Sequence, residues 1–173
     1  MVFVNSSPAS QHAYRAGAFA LVLAALTILT ALAFEHVGGY VPCPLCLQQR
    51  FAYYAALPLL FAALVLLSAG QPRTAALLFV LVSLAFLANA GLGVYHAGAE
   101  WKFWPGPQSC AGSQELATTA GSLFESLPGS RAVRCDEAAW RFAGLSFAGW
   151  NVAVSLALFV IGLRAAVLAT RSQ

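Results

Sequence analysis

Charge is what this sequence lacks most. Of its 173 residues, 9% are Asp, Glu, Lys or Arg, whereas 60% are hydrophobic. A typical soluble domain carries about 25% charged residues, so the composition excludes an ordinary soluble globular protein. It indicates an integral membrane protein whose surroundings are the lipid bilayer. The length suits a single membrane domain over residues 1–173.

Clustered basic residues are also absent. The formal net charge is +3, and no run of Lys or Arg is interleaved with aromatic residues. Proteins that bind nucleic acid usually present such a basic patch. The sequence therefore gives no support to a nucleic-acid partner.

Four apolar stretches are long enough to cross a bilayer, which takes roughly 20 residues of helix. They cover about 16–34, 45–69, 74–94 and 145–163. An Ala-X-Ala pattern near the end of the first stretch is typical of a signal-peptide cleavage site. We keep this stretch as a true span because its apolar run is long and Arg15 is the only basic residue before it. The fold class predicted is an all-α bundle of four transmembrane helices.

Two loops lie between these spans on one side, at about 35–44 and 95–144. Apolar residues recur at helical spacing inside the longer loop, which predicts a short amphipathic helix over 114–127. This helix lies either on the membrane surface or against the rest of the loop.

All four cysteines fall in or next to these loops. Cys43 and Cys46 open the second span, and Cys110 and Cys135 lie between the third and fourth. Two spans separate the pairs, so both pairs face the same compartment. Basic residues are shared almost evenly between the two sides and do not decide the orientation. Disulfides persist outside the cytoplasm, so we expect the cysteines on the oxidising side and both termini in the cytoplasm.

The Cys-X-X-Cys motif predicts a dithiol at the start of a helix. Pro44 disfavours helical geometry at Cys43 and suits the first helical position. This places Cys43 at the cap and Cys46 in the first turn. We expect the free N–H groups of that turn to favour a thiolate at Cys46, and Cys43 to be the more exposed to water.

Arg50 and His96 are candidate partners of the dithiol. Arg50 lies four residues after Cys46, one turn deeper on the same helix face. A guanidinium there would stabilise a thiolate or a developing oxyanion on a bound ligand, although an arginine near a span end also snorkels to the interface. His96 closes the third span, where it is either an ordinary packed histidine or part of the same pocket.

Two structural interpretations of the cysteines stay open at this point. Four cysteines match the ligand set of a structural zinc site, but zinc sites usually combine two Cys-X-X-Cys units. Here Cys110 and Cys135 are 25 positions apart, which suits a loop-closing disulfide better. A purely structural disulfide between Cys43 and Cys46 would close a very small loop and add little stability.

The segment Pro-Cys-Pro-Leu-Cys-Leu-Gln-Gln-Arg at 42–50 resembles the bacterial disulfide bond formation protein B (DsbB) family. Tyr95-His96 and a second cysteine pair in a long loop extend the resemblance over nearly the whole chain. It implies an enzyme of the bacterial inner membrane, a protein-disulfide oxidoreductase with quinone as electron acceptor. Such an enzyme reoxidises a periplasmic DsbA-like thiol oxidase and passes the electrons to ubiquinone or menaquinone.

The same resemblance implies roles for six residues. Cys43 and Cys46 would be the quinone-coupled pair, with Cys46 next to the ring. Cys110 and Cys135 would form the disulfide that DsbA attacks, at Cys110. Arg50 would support reduction of the quinone, and His96 would lie near it.

Two other functions compete with this one. Vitamin K epoxide reductase-like proteins also combine a four-helix bundle, a Cys-X-X-Cys motif and a quinone. Their active dithiol lies on a late helix of the core bundle, whereas here the Cys-X-X-Cys motif opens the second span. A non-catalytic membrane protein that binds zinc or staples its loops is the other alternative.

Overall fold

The computed structural model describes residues 7–106 and 135–172. Four long helices make up most of this part of the chain: α1 (Pro8–His36), α2 (Pro44–Ser68), α3 (Pro72–Glu100) and α4 (Phe147–Thr170). Each is long and apolar enough to cross a membrane. The predicted all-α bundle of four spans is confirmed, and the chain is a multi-pass membrane protein. The amphipathic helix predicted over 114–127 lies outside the described residues.

Proline begins three of the helices. Pro8, Pro44 and Pro72 occupy their first turns, where the missing N–H has no helical partner and the fixed φ suits the helix. α2 and α3 are joined by a tight turn in which Gly70 has a φ of +74°. That left-handed conformation favours glycine because no Cβ clashes there.

The helices form a closed ring of neighbours. α1 packs on α2 and α4, and α3 packs on α2 and α4. The centre is apolar and includes Leu60, Phe79, Phe86 and Leu158, each at most 1% exposed. Large apolar side chains also cover the outside of all four helices, as expected of helices that face lipid tails.

A small β-hairpin precedes α4. β1 (Arg141–Phe142) pairs antiparallel with β2 (Leu145–Ser146). Ala143 and Gly144 turn the chain with φ of 51° and 82°, as in hairpin turns that need positive φ at both central residues. β2 leads directly into α4, whose N-cap is Ser146.

α3 continues beyond the predicted span, which ended near residue 94. It runs through Ala97, Gly98 and Ala99 to Glu100, and Trp101 caps it. His96 is therefore in the last turns of a helix and not in a loop. Its helical position fixes the direction of the side chain towards the start of α2.

Candidate active site

Cys43 caps α2 as its sequence predicts. It has an extended backbone, with φ of −75° and ψ of 164°. Its Sγ accepts a hydrogen bond of 3.2 Å from the backbone N–H of Cys46. The side chain of Cys43 therefore takes the place of a serine or aspartate cap at the positive end of the helix.

The two sulfurs of the motif lie 2.9 Å apart, and both are free thiols. Cys43 is 4% exposed, whereas Cys46 is only partly buried. The expectation that Cys43 is the more exposed sulfur is therefore wrong. The cap bond turns the Cys43 side chain back towards the helix axis, where His96 covers it.

The same geometry affects the charge on Cys43. Its pKa lies well below the ordinary thiol value, mainly because the Cys46 side chain donates a hydrogen bond to it. His96 lowers this pKa further, and burial opposes both effects. The cap position thus favours a thiolate at Cys43, whereas the sequence pattern alone favoured one at Cys46.

His96 lies directly beside the dithiol and is 2% exposed. Its Nε2 is 3.6 Å from the Sγ of Cys43 and 3.7 Å from an Oε1 of Glu100. Glu100 is itself buried and accepts a hydrogen bond from the hydroxyl of Ser146, the N-cap of α4. The ends of α3 and α4 thereby meet at the start of α2.

A chain of amide side chains reaches His96 from inside the bundle. Gln49 places its Nε2 2.9 Å from Nδ1 of His96. Asn151 donates to Oε1 of Gln49 over 2.7 Å, and Tyr53 donates to Oδ1 of Asn151 over 2.8 Å. These residues were missed from the sequence, although a polar residue inside an apolar span is a recognised sign of function.

Arg50 pairs with Glu35 at the end of α1. The side chains are 12% and 25% exposed, respectively. Both residues line the same cavity as Cys46, so Arg50 faces the site and does not extend freely towards solvent. Glu35 was not singled out from the sequence because the pairing joins residues of different helices.

The cavity has a volume of about 520 Å³. One wall consists of apolar residues of α1, and another of aromatic residues next to the hairpin. Trp140 stacks on Phe147 with ring centroids 4.9 Å apart, and Phe34 packs against both rings. The polar groups that reach the cavity include Cys46, Arg50, His96, Gln49 and Glu100.

Cys135 lies next to the dithiol. It is disulfide-bonded and 1% exposed, and it belongs to one small cluster with Cys43 and Leu45. Cys46 borders that cluster. Cys110 lies outside the described residues, so its predicted pairing with Cys135 stays a prediction. The structure therefore brings a disulfide sulfur and a free dithiol into one packed group.

A metal ion would find three ligands here. Within the described parts of the chain, Cys43, Cys46 and His96 offer atoms that all lie within 4.8 Å of one another. A structural zinc site needs four ligands. The three residues fall one short of that set, and Nδ1 of His96 is already in contact with Nε2 of Gln49 at 2.9 Å.

Comparison with known proteins matches residues 14–165 to the family described as "Disulfide bond formation protein DsbB". Relatives carry the name "Disulfide bond formation protein B". The protein from Marinobacter nauticus is 35% identical over 84% of this chain and 88% of its own. The one from a Polaromonas species is 29% identical over 87% and 89%, and the one from Aromatoleum aromaticum 33% over 70% and 72%. No solved structure shows a significant match.

Proposed function

This chain belongs to the DsbB family, and on that premise we propose that it reoxidises a periplasmic DsbA-like thiol oxidase and passes the electrons to a membrane quinone. Membership of the family supports a role in disulfide bond formation and a disulfide oxidoreductase activity. The identities of the partner as a thiol oxidase and of the electron acceptor as a quinone are proposed here beyond family membership. The observation that carries them is a free dithiol packed against a disulfide-bonded cysteine at the wall of an apolar cavity.

The residues around the cavity fit a quinone. Its volume of about 520 Å³ is within the range of small-molecule pockets, which are mostly apolar with a few placed polar groups. Stacked aromatic rings and the apolar face of α1 suit a flat ring with a hydrocarbon tail. Arg50 and His96 supply donors for the ring oxygens. A bound quinone would accept two electrons and two protons from the dithiol, which becomes a disulfide as quinol forms.

Electrons would reach the dithiol by thiol–disulfide exchange. A thiolate of the partner attacks the loop disulfide at Cys110, releases Cys135, and leaves oxidised through a second exchange. The reduced loop pair then reduces the Cys43–Cys46 disulfide, which lies within the same packed cluster as Cys135. The low pKa of Cys43 makes it a good leaving group in this step, because a stable thiolate leaves faster.

The proposed function also determines which side of the membrane the cysteines face. Cys43 and Cys135 pack together at one end of the bundle, as required if both loops face the periplasm. The opposite end would then face the cytoplasm with both termini, in the inner membrane. Disulfide exchange with a secreted partner needs the cysteines on the oxidising side.

Replacing Cys46 with serine tests the proposal. We expect quinone reduction to fall to background, because no Cys43–Cys46 disulfide can form. The matched control is Cys135→Ala, which should also stop turnover but should trap a mixed disulfide between Cys110 and the partner. Undiminished quinone reduction by Cys46→Ser would contradict the proposal, and no trapped species in Cys135→Ala would reverse the roles of the loop cysteines.

A further inference from the structure

We propose that Gln49, oriented by Asn151, fixes the protonation tautomer of His96 so that the ring offers its Nε2–H to the sulfur of Cys43. Gln49 and Asn151 are thus positioning residues that act through His96. The role rests on the proposed function, since it concerns the same dithiol. It can be measured without quinone or partner protein.

The side-chain amide of Asn151 has a defined orientation. Three donors surround its Oδ1: the hydroxyl of Tyr53 at 2.8 Å, the Nδ2 of Asn89 at 3.4 Å and the hydroxyl of Ser155 at 3.5 Å. Turning the amide over would bring its NH₂ group against the NH₂ of Asn89. The carbonyl oxygen of Asn151 therefore stays on this side, and its NH₂ points the other way.

The orientation of the Gln49 side-chain amide is set by its contact with Asn151. The Nδ2 of Asn151 donates to Oε1 of Gln49 over 2.7 Å, which leaves the NH₂ of Gln49 free to face His96. The side chain of Gln49 is buried, with the residue 5% exposed. A buried amide whose oxygen is already engaged keeps this orientation, because reversing it would set two donors against each other.

His96 then has one tautomer that satisfies every contact. The Nε2 of Gln49 lies 2.9 Å from Nδ1 of His96, so Nδ1 accepts and carries no proton. The single ring proton is on Nε2, which faces Cys43 Sγ at 3.6 Å and Glu100 Oε1 at 3.7 Å. In a neutral imidazole the bond made by one nitrogen decides which nitrogen holds the proton.

The charged groups near the ring are compatible with this assignment. Cys43 and Cys46 face it from α2, and Glu100 faces it from its own helix α3. Towards α4 the ring is reached through the neutral chain of Gln49 and Asn151. Arg50 is engaged by Glu35 and does not bond the ring in the described structure. The hydrogen-bond acceptors, the sulfur of Cys43 and the carboxylate of Glu100, thus lie at Nε2. This is the nitrogen that the contact of Gln49 with Nδ1 leaves protonated.

This arrangement keeps a donor on the sulfur through the reaction. A doubly protonated ring would set its Nδ1–H against the NH₂ of Gln49. A ring with the proton on Nδ1 would turn a lone pair towards the thiolate. The amide chain disfavours both states and so holds a hydrogen-bond donor against Cys43 whenever that sulfur is charged.

The test compares Gln49→Glu with Gln48→Glu, the same chemical change one residue away on the exposed side of α2. Full-length reduced protein with ¹⁵N-labelled histidine is studied in detergent micelles without quinone. The signal of His96 is identified by its loss in His96→Gln. We expect the Nε2–H tautomer in the wild type and in Gln48→Glu. Gln49→Glu should change it to Nδ1–H or to the doubly protonated ring, because a carboxylate can only accept.

A second readout is alkylation of Cys43 by iodoacetamide. If Gln49→Glu gives the Nδ1–H ring, alkylation should slow about tenfold at pH values on the acidic side of its midpoint, through loss of the donor to the thiolate. If it gives the doubly protonated ring, Nε2–H stays on the sulfur and alkylation should not slow, so the NMR spectrum decides which rate is expected. Asn151→Asp provides a second variant that does not touch His96 and should alter the tautomer through Gln49.

The proposal is overturned if wild-type His96 carries its proton on Nδ1, a result that needs no variant to fold. It is also overturned if both Gln49→Glu and Asn151→Asp retain the Nε2–H tautomer. A protein with the expected tautomers but no quinone reduction would instead contradict the proposed function and leave the positioning role standing.

Discussion

Arg50 and Glu35 meet at the wall of the cavity, where they join the end of α1 to the first turns of α2. A half-buried ion pair of this kind holds the guanidinium in one place, because moving it would leave the carboxylate without its partner. Arg50 can still use its other N–H groups for a ligand, since a guanidinium has five donors. Glu35 thus positions a cation that would otherwise extend to the membrane surface.

Arg50→Met should raise the apparent KM for quinone about tenfold or more, because a hydrogen bond to a charged or developing anionic group is lost. Glu35→Gln keeps a polar partner for Arg50 and should change that KM only a few-fold. Steady-state quinone reduction at a fixed concentration of thiol oxidase measures both. If Arg50→Met altered only the affinity for the thiol oxidase, Arg50 would act at a different interface.

For single residues, the sequence predicts the members of the candidate site better than it predicts the orientation of their side chains. Pro44 is enough to place Cys43 at the cap, because its effect on the backbone is local. The direction of the Cys43 side chain depends on the first-turn amide and on His96 from another helix, so the expected exposure of the two sulfurs is wrong. The contacts of Gln49 with Asn151 join positions about 100 residues apart, which no local pattern contains.

Ser146 connects two elements, since it caps α4 and also bonds the last residue of α3. Its hydroxyl accepts from the N–H of Gly149 at 3.2 Å and donates to the carboxylate of Glu100. The β-hairpin that precedes it is too short to be stable alone. We infer that the cap and the bond to Glu100 hold this hairpin, and the segment following Cys135, against the end of the bundle.

Ser146→Ala should lower the free energy of unfolding by about 1–3 kcal/mol, from loss of the cap and of a donor to a buried carboxyl group. Ser7→Ala removes the N-cap of α1, whose hydroxyl accepts a 3.3 Å hydrogen bond from the backbone N–H of Ser10 and bonds to no acidic side chain among the described residues. It should cost only about 1 kcal/mol or less. Thermal unfolding in detergent compares the two, and Ser146→Thr should restore most of the loss. Equal effects of the two alanine variants would argue against a role for the Glu100 bond.

Element boundaries divide into those that local chemistry determines and those that packing determines. Proline and glycine set the starts of α2 and α3 and the turn between them, close to the predicted bounds. α1 instead begins at Pro8, about eight residues before the predicted span, because the helix extends past the apolar run that marked it. The extension of α3 to Glu100 is different, because hydropathy declines before the helix ends. Buried His96 and Glu100 contact α2 and the start of α4, and this packing keeps the last turns helical.

The whole molecule combines a membrane bundle with a cluster of three cysteines at one end. The closed ring of four helices brings the start of α2, the end of α3 and the start of α4 together, and Cys135 packs against them. The fold class could be predicted because four long apolar runs with two short links leave few arrangements. From the sequence, both cysteine pairs could be predicted only to share a compartment. The contact of Cys135 with the dithiol could not, because it depends on how distant parts of the chain pack at the end of the bundle.

The central claim is that the two cysteine pairs form one path from a thiol oxidase to a quinone. Its most direct test mixes the purified protein, a reduced DsbA-like oxidase and quinone without oxygen, and follows quinone absorbance together with the remaining thiols. We expect one quinone to be reduced for every two partner thiols oxidised, with no added metal and no loss of rate after treatment with a zinc chelator. Oxidation of the partner without quinone reduction, or stoichiometric bound zinc in a protein that does not turn over, would contradict it.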